Sequence, residues 1–490
     1  MRSLNSFLPA QLAPSTSEER QLSFRRVLFV ACPTGAYCRE DRCQSFFSFE
    51  LFPSMRPPLE ECEAAGAVSA LGAKHWIIDA PAEGITEPEF LSAVLAHEPD
   101  LVVVAVTFGS LEADLKWAVR IRELLPVARI ALRGAPCYVS PEKILERCPA
   151  VDFCLRGDYE LVFEELLLKA PQDARGVVSR GGDGVVVQNP PCHAPNLDDL
   201  PLPDRSQIKS QLYRVRGTRR QQATVHVQRG CPFPCTFCLV HTVSGNRPRH
   251  RSPQSIAAEV RGLMEQGITR FYLRAETFTV DRSWALQVSR TLKQECPGAR
   301  WVTATRVECV DEELLQAMWQ GGCYGISFGV DVASEQVGAA VKKRPALKAA
   351  EEAMRLCDRI GIVTLAYFMV GFIWETKASL EETAEFARII APDLVTIHYA
   401  FPYPGTVYHQ QAEELGLVAL STKAQAEPAL SVTGVTDREL RRFSKRLLVR
   451  HYLRPRVWLS LLLKGARSSL RTLSEALPVS REDPSESRIL

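Results

Sequence analysis

"QRGCPFPCTFC" (Gln228–Cys238) places Cys231, Cys235 and Cys238 in a C-x3-C-x2-C spacing, interleaved with two prolines and two phenylalanines. Zinc usually takes paired C-x2-C knuckles and a fourth ligand close by. Iron–sulfur clusters take thiolates from short loops, and three cysteines leave one iron of a four-iron cluster without a protein ligand. Such an iron adds nothing to simple electron storage but can bind a further group. The stretch follows "ATVHV" (Ala223–Val227), an apolar run of strand type, so the thiols are expected on a loop at a strand's C-terminal end.

On both sides of this loop, strands and helices alternate. After residue 221, strands are expected at "ATVHV", "RFYLRA", "RWVTAT", "YGISFGV", "TLAYFMV" and "LVTIHY", with amphipathic helices between them. Six such units make an open relative of the eight-unit barrel, in which the loops at strand C-termini carry the chemistry. Before it, "RRVLFVA", "KHWIIDA", "LVVVAVTF", "ARIALRG" and "VDFCLRG" are apolar strands separated by helices, which predicts a parallel, doubly wound sheet. The expected chain is α/β throughout. It has a flexible N-terminus (1–22), a Rossmann-like sheet (23–168), a connector (169–220) carrying a small hairpin, a partial (β/α)6 barrel of TIM type (221–410), a helical C-terminal region (411–475) and a flexible tail (476–490).

Composition restricts the function classes. The 490 residues carry 59 basic and 57 acidic side chains, so no global charge points to nucleic acid. Fifteen cysteines spread over this length do not make a secreted disulfide scaffold, and the N-terminus lacks the apolar core of a signal peptide. No apolar run reaches membrane-spanning length. A reduced, cytoplasmic enzyme is the expectation. One segment departs from neutrality: Arg438–Arg471 holds eleven Lys or Arg and one acid, Glu439, a pattern expected of a solvated helix face, an anionic substrate site or a membrane-surface contact.

"CPFPCTFC" resembles the cluster loop of the radical S-adenosylmethionine (SAM) superfamily, whose open iron is chelated by the amino and carboxylate groups of SAM. The resemblance implies that Cys231, Cys235 and Cys238 hold a 4Fe–4S cluster, that Phe237 lies beside the SAM adenine, and that a flavodoxin- or ferredoxin-type reductant supplies electrons. "LRAETFT" (Leu273–Thr279) is similar to the family stretch receiving the SAM amino group, with Glu276 in that role. "ISFGVD" (Ile326–Asp331) resembles a segment whose acid binds the ribose, here Asp331, one methylene shorter than the family's glutamate. "VGFIWET" (Val370–Thr376) and "FPYPGT" (Phe401–Thr406) are also family-like.

The first sheet resembles the cobalamin-binding domain preceding many radical SAM barrels, on "PDLVVVAVTFGS", "ALRGAP" and "VDFCLRGDYELVFEELL". The resemblance implies bound cobalamin. Thr107 and Ser110 would hydrogen-bond its nucleotide tail, and the backbone would approach closely at Gly134 and Gly157. The Asp-x-His-x-x-Gly signature of cobalt-ligating histidines is absent. Cys32, Cys38 and Cys43 crowd the loop after the first strand in a spacing that matches no cluster pattern and are expected as ordinary thiols.

The implied reaction is methylation of an unactivated carbon of a lipid, tetrapyrrole or secondary metabolite: SAM is cleaved to a 5′-deoxyadenosyl radical, and methylcobalamin donates the methyl group. The substrate is expected to be a small molecule, large and apolar or anionic. Alternatives are radical ring closure, contraction or oxidation with the same cofactors, tRNA methylthiolation, and a non-enzymatic cobalamin-binding sensor.

Overall fold

A computed structural model describes residues 21–417 and 434–476, except 36, 38, 43–55, 216, 217 and 219, and for 467–476 it describes the backbone alone. Cys38 and Cys43, and the termini expected to be flexible (apart from residues 21, 22 and 476), lie outside the described residues.

The first sheet has seven strands: β1 (Arg26–Ala31), β2 (Lys74–Asp79), β3 (Leu101–Ala105), β4 (Arg129–Arg133), β5 (Phe153–Leu155), β6 (Val177–Arg180) and β7 (Val186–Gln188). Their spatial order is β2-β1-β3-β4-β5-β6-β7, with β1 to β5 parallel. Successive side chains of a strand point to opposite faces. Val27, Phe29, Leu101 and Val103 accordingly pack with helices Leu59–Ala70 and Tyr159–Leu168, whereas Leu28, Val30, Val102 and Val104 pack with Glu87–Ala96, Leu111–Leu124 and Pro141–Arg147. Burial on both faces is what makes these strands uniformly apolar, and each such side chain contributes roughly 1.5–3 kcal/mol. The expected hairpin forms as β6 and β7, and it pairs antiparallel onto β5. The sheet thereby reaches Gln188, past the expected end at 168, because two short antiparallel strands carry no strand–helix alternation to announce them.

The second sheet consists of β8 (Ala223–His226), β11 (Arg270–Arg274), β12 (Arg300–Thr305), β13 (Cys323–Asp331), β14 (Val363–Val370) and β15 (Leu394–Tyr399). All pairs are parallel and follow chain order, so every strand C-terminus points the same way and β8 and β15 remain as edges. A two-residue ladder, β9 (Gln228–Arg229) with β10 (Arg249–His250), brackets the cysteine loop. Helix Asp437–Tyr452 covers the β15 edge, and the Tyr452 hydroxyl accepts from Val395 N at 3.1 Å and donates to Val395 O at 3.0 Å, replacing a neighbouring strand.

The two sheets meet at their strand C-termini. Phe108, after β3, lies 5.5 Å from the Tyr403 ring, and Ala135, after β4, shares one apolar cluster with Leu239, Val243 and Phe401. Beside this cluster runs a buried ionic seam. The helix beginning "LEECEA" buries Glu60, Glu61 and Glu63 rather than exposing them. Arg274 donates to Glu60 at 2.8 Å, His226 Nδ1 lies 2.8 Å from Glu63, and Arg229 makes a two-pronged contact with Glu160 at 2.6 and 3.0 Å.

Candidate active site

The cysteine loop is shaped before any metal is considered. Gly230 has φ +86°, and a Cβ there would stand 2.2 Å from the Arg247 carbonyl oxygen, so only glycine admits the turn from β9 into the loop. Buried Gln228 donates to Gly230 O at 3.1 Å and accepts from Thr277 N at 3.4 Å, tying the loop to the end of β11. His241 Nε2 lies 2.8 Å from Cys231 O. Pro232 and Pro234 contribute no backbone donors between the thiols.

All three cysteines line a cavity of about 300 Å³ at the strand C-termini. Thr277 Oγ1 lies 3.6 Å from Cys231 Sγ, and Arg306, stacked 4.1 Å over Phe233, donates to Cys235 Sγ at 3.7 Å. Phe237, Glu276 and Asp331 line the same cavity, so every residue expected around SAM is brought together. Phe237 packs 5.6 Å from Phe372. Both carboxylate oxygens of Glu276 are shut off from solvent without a hydrogen-bond partner, and burial pushes this carboxyl above its ordinary range against the pull of Arg42 and Arg274. Asp331 ends β13 at φ +59°, after a break in register, and pairs with the buried Lys343. Lys343, Arg306 and Arg42 carry positive charge into the cavity and were not singled out from sequence. Arg42 arrives from the first half of the chain, donating to Ala275 O and the Tyr272 hydroxyl, each at 2.8 Å.

The expected contacts on the first sheet are otherwise occupied. Thr107 and Ser110 are buried and 2.9 Å apart, and Ser110 donates to Asp114 at 2.5 Å. Arg39 closes the set, reaching Ser110 at 3.2 Å, Asp114 at 3.3 Å and Ala105 O at 3.1 Å. A Cβ on Gly134 would lie 2.1 Å from Val106 O, and one on Gly157 would lie 2.2 Å from Cys192 O, so both glycines are required by the chain's own packing. Cys32, the described member of its cysteine group, is fully buried. Arg133 pairs with Glu61 and Asp41 across the β4 end, and the cavity left at these strand ends is about 30 Å³.

Residues 225–387 match the Radical SAM superfamily. The chain carries a radical SAM domain. It is 27% identical over 390 residues to an uncharacterized methyltransferase of Pyrococcus horikoshii, covering 78% of this chain and 84% of that protein. It is 27% identical over 375 residues to the anaerobic magnesium-protoporphyrin IX monomethyl ester cyclase of Rubrivivax gelatinosus, covering 74% of this chain and 66% of that one. The fold is shared with the radical S-adenosylmethionine methyltransferase TsrM from Kitasatospora setae, solved with cobalamin and a 4Fe–4S cluster, at TM-score 0.61, 17% identity and coverage of 80% and 75%.

A radical SAM domain implies a 4Fe–4S cluster and SAM, and the donor set fits both. Among the described residues no three His, Cys, Asp or Glu converge on one metal ion. A four-iron cluster does not ask for that, because each thiolate binds a different iron. The partnerless Glu276 carboxylate, facing the cavity of the cysteines, is suited to an ammonium group. Cobalamin is a different case. At the first sheet's strand ends the described side chains Arg39, Glu61 and Arg133 line a small cavity, with Arg133 paired to Glu61 and Arg39 to Asp114.

Proposed function

We propose that this radical SAM enzyme transfers a methyl group to an unactivated carbon of a small molecule, with cobalamin as methyl carrier between the first sheet and the barrel mouth. The observation that carries this reading is the apposition of the two sets of strand C-termini across Phe108 and Tyr403, next to the cavity that holds the three cysteines. The methyltransferase name of the Pyrococcus relative supports methyl transfer.

In this reading Cys231, Cys235 and Cys238 hold the cluster, which when bound supplies the electron that cleaves SAM to methionine and a 5′-deoxyadenosyl radical. Glu276 accepts the SAM ammonium, Phe237 flanks the adenine, and Asp331, positioned by Lys343, meets the ribose. Arg306 donates toward Cys235 and covers Phe233, limiting water at the cluster side. The Arg39–Asp114 and Arg133–Glu61 pairs stand at the strand ends of the first sheet, where the corrin would approach. The remaining partners are a small-molecule substrate and a flavodoxin- or ferredoxin-type reductant. Lipids, tetrapyrroles and secondary metabolites are the substrate classes to screen.

The cyclase relative supports a second reading, radical ring closure without methyl transfer. One experiment separates the two: turnover of the reconstituted, corrinoid-loaded protein with methyl-labelled SAM, a low-potential reductant and those substrate classes. Label in the product together with 5′-deoxyadenosine supports methyl transfer. 5′-Deoxyadenosine with an altered but unlabelled product supports the second reading. No corrinoid uptake, read from its visible absorption, sinks the cobalamin assignment.

A further inference from the structure

The C-terminal helix, Pro455–Ala476, sits on the molecule the wrong way round for a surface helix of a water-soluble protein. Its inward face presents Val457, Ser460 and Lys464; Ser460 donates to Asp393 at 2.5 Å, and Lys464 reaches Asp393 at 2.7 Å and Asp358 at 3.1 Å. Its outward face carries Trp458, Leu459, Leu462 and Leu463, which are 48%, 58%, 71% and 54% exposed. At 100° per residue these four and Ala466 span a single stripe. Val449 near the end of the preceding helix and Leu453 at its C-cap, 75% exposed, are further outward apolar side chains.

Positive charge borders this stripe. Arg456 stands three and seven residues before Leu459 and Leu463, hence beside them on the helix. Neither Arg456 nor Arg454 has an acidic partner among the described residues; both line a cleft of about 580 Å³ with Arg388 and His451, whose acids include Glu351 and the Lys464-paired Asp358 and Asp393. No helix of the described chain is long and apolar enough to cross a membrane. An outward apolar stripe headed by a tryptophan and edged with arginines is the pattern of a helix lying in a bilayer interface.

We propose that this face docks on an anionic lipid bilayer, with Arg454 and Arg456 meeting lipid phosphates and the Trp458–Leu463 stripe entering the headgroup boundary. The charge at its border selects this occupant over a second copy of the chain, which would bring the same arginines face to face. The surface lies at the N-terminal ends of β14 and β15, by Thr364 and Asp393, whereas the cysteines lie at the C-terminal ends. It therefore tethers the protein without facing the active-site mouth, and none of the described basic side chains of this segment lines the cavity of the radical SAM domain.

The test is co-sedimentation of the full chain with phosphatidylcholine vesicles, with and without phosphatidylglycerol. Binding is expected only to the phosphatidylglycerol vesicles, falling with salt. Leu462→Glu is expected to reduce it at least about tenfold, and Arg454→Glu with Arg456→Glu by a similar factor or more. Leu463→Glu provides a second exposed site, and unchanged melting temperatures confirm folding in each case. Equal binding to both vesicle types, or binding indifferent to these substitutions in folded protein, overturns the proposal. So does a solution dimer that Leu462→Glu dissociates in a chain that ignores vesicles.

Discussion

Lys343 holds Asp331: its ammonium pairs with the Asp331 carboxylate and donates to the Gly329 carbonyl at 2.8 Å, where β13 ends with Asp331 at φ +59°. A non-glycine residue in that region costs about 1–3 kcal/mol, and such strain persists only where the surroundings enforce it. Lys343→Met is expected to raise the dissociation constant for SAM about tenfold and leave iron content unchanged, with Lys343→Arg intermediate. Equilibrium dialysis against SAM checks this. Unaltered affinity would reduce the lysine to a structural strut.

Glu276→Gln should separate stability from binding. The buried carboxylate has no hydrogen-bond partner, so replacing it with a neutral amide is expected to raise the melting temperature. Losing a charge-assisted bond to an ammonium should weaken SAM binding by about ten- to a hundredfold, or roughly 1.5–3 kcal/mol. Thermal melts with and without SAM show both effects: a higher baseline and a smaller ligand-induced shift.

Gly230→Ala is expected to damage the cysteine loop from outside it. The added methyl would meet the Arg247 carbonyl oxygen at 2.2 Å and sit on a backbone at φ +86°. A cost of roughly 2–4 kcal/mol follows. Iron and sulfide per chain should fall after reconstitution although all three cysteines remain.

The pH dependence of stability should carry a contribution from Asp79. Burial raises its carboxyl from 3.8 to about 6, against the hydrogen bond donated by Tyr213 at 2.9 Å. The folded chain therefore binds this proton more tightly than the unfolded chain. The stabilisation is complete below pH 4 and is lost as pH rises through about 6, worth ~3 kcal/mol. Asp79→Asn should flatten the slope of unfolding free energy between pH 4 and 7 in urea titrations. Some slope will remain, because burial raises Asp41 to about 6 and Glu160 to about 7 as well.

The cysteine loop and the place of Glu276 on the same cavity were legible because they are local: each follows directly on a strand. The six barrel strands were legible for the same reason, from period and length. Lys343 was not, since it reaches the cavity from beyond the helix after β13. Thr107 and Ser110 look like ligand donors in sequence, and only the fold supplies Arg39 and Asp114 to occupy them. "LEECEA" looks like a solvated helix start. Its three acids are buried because Arg229, Arg274 and Arg133 converge on them from distant strands, a coincidence no local pattern encodes.

That seam limits how the enzyme can move. Arg229 answers Glu63, Asp158 and Glu160, and Arg274 answers Glu60, all across the boundary between the halves. A sliding or rocking displacement would separate several buried ion pairs at once, and each charge left buried without its partner is strongly unfavourable. A hinge between the halves would have to break these pairs together, so they favour a constant separation of the two strand-end faces. Loop and side-chain movements admit cofactors and substrate at the lowest cost, because they leave this seam intact.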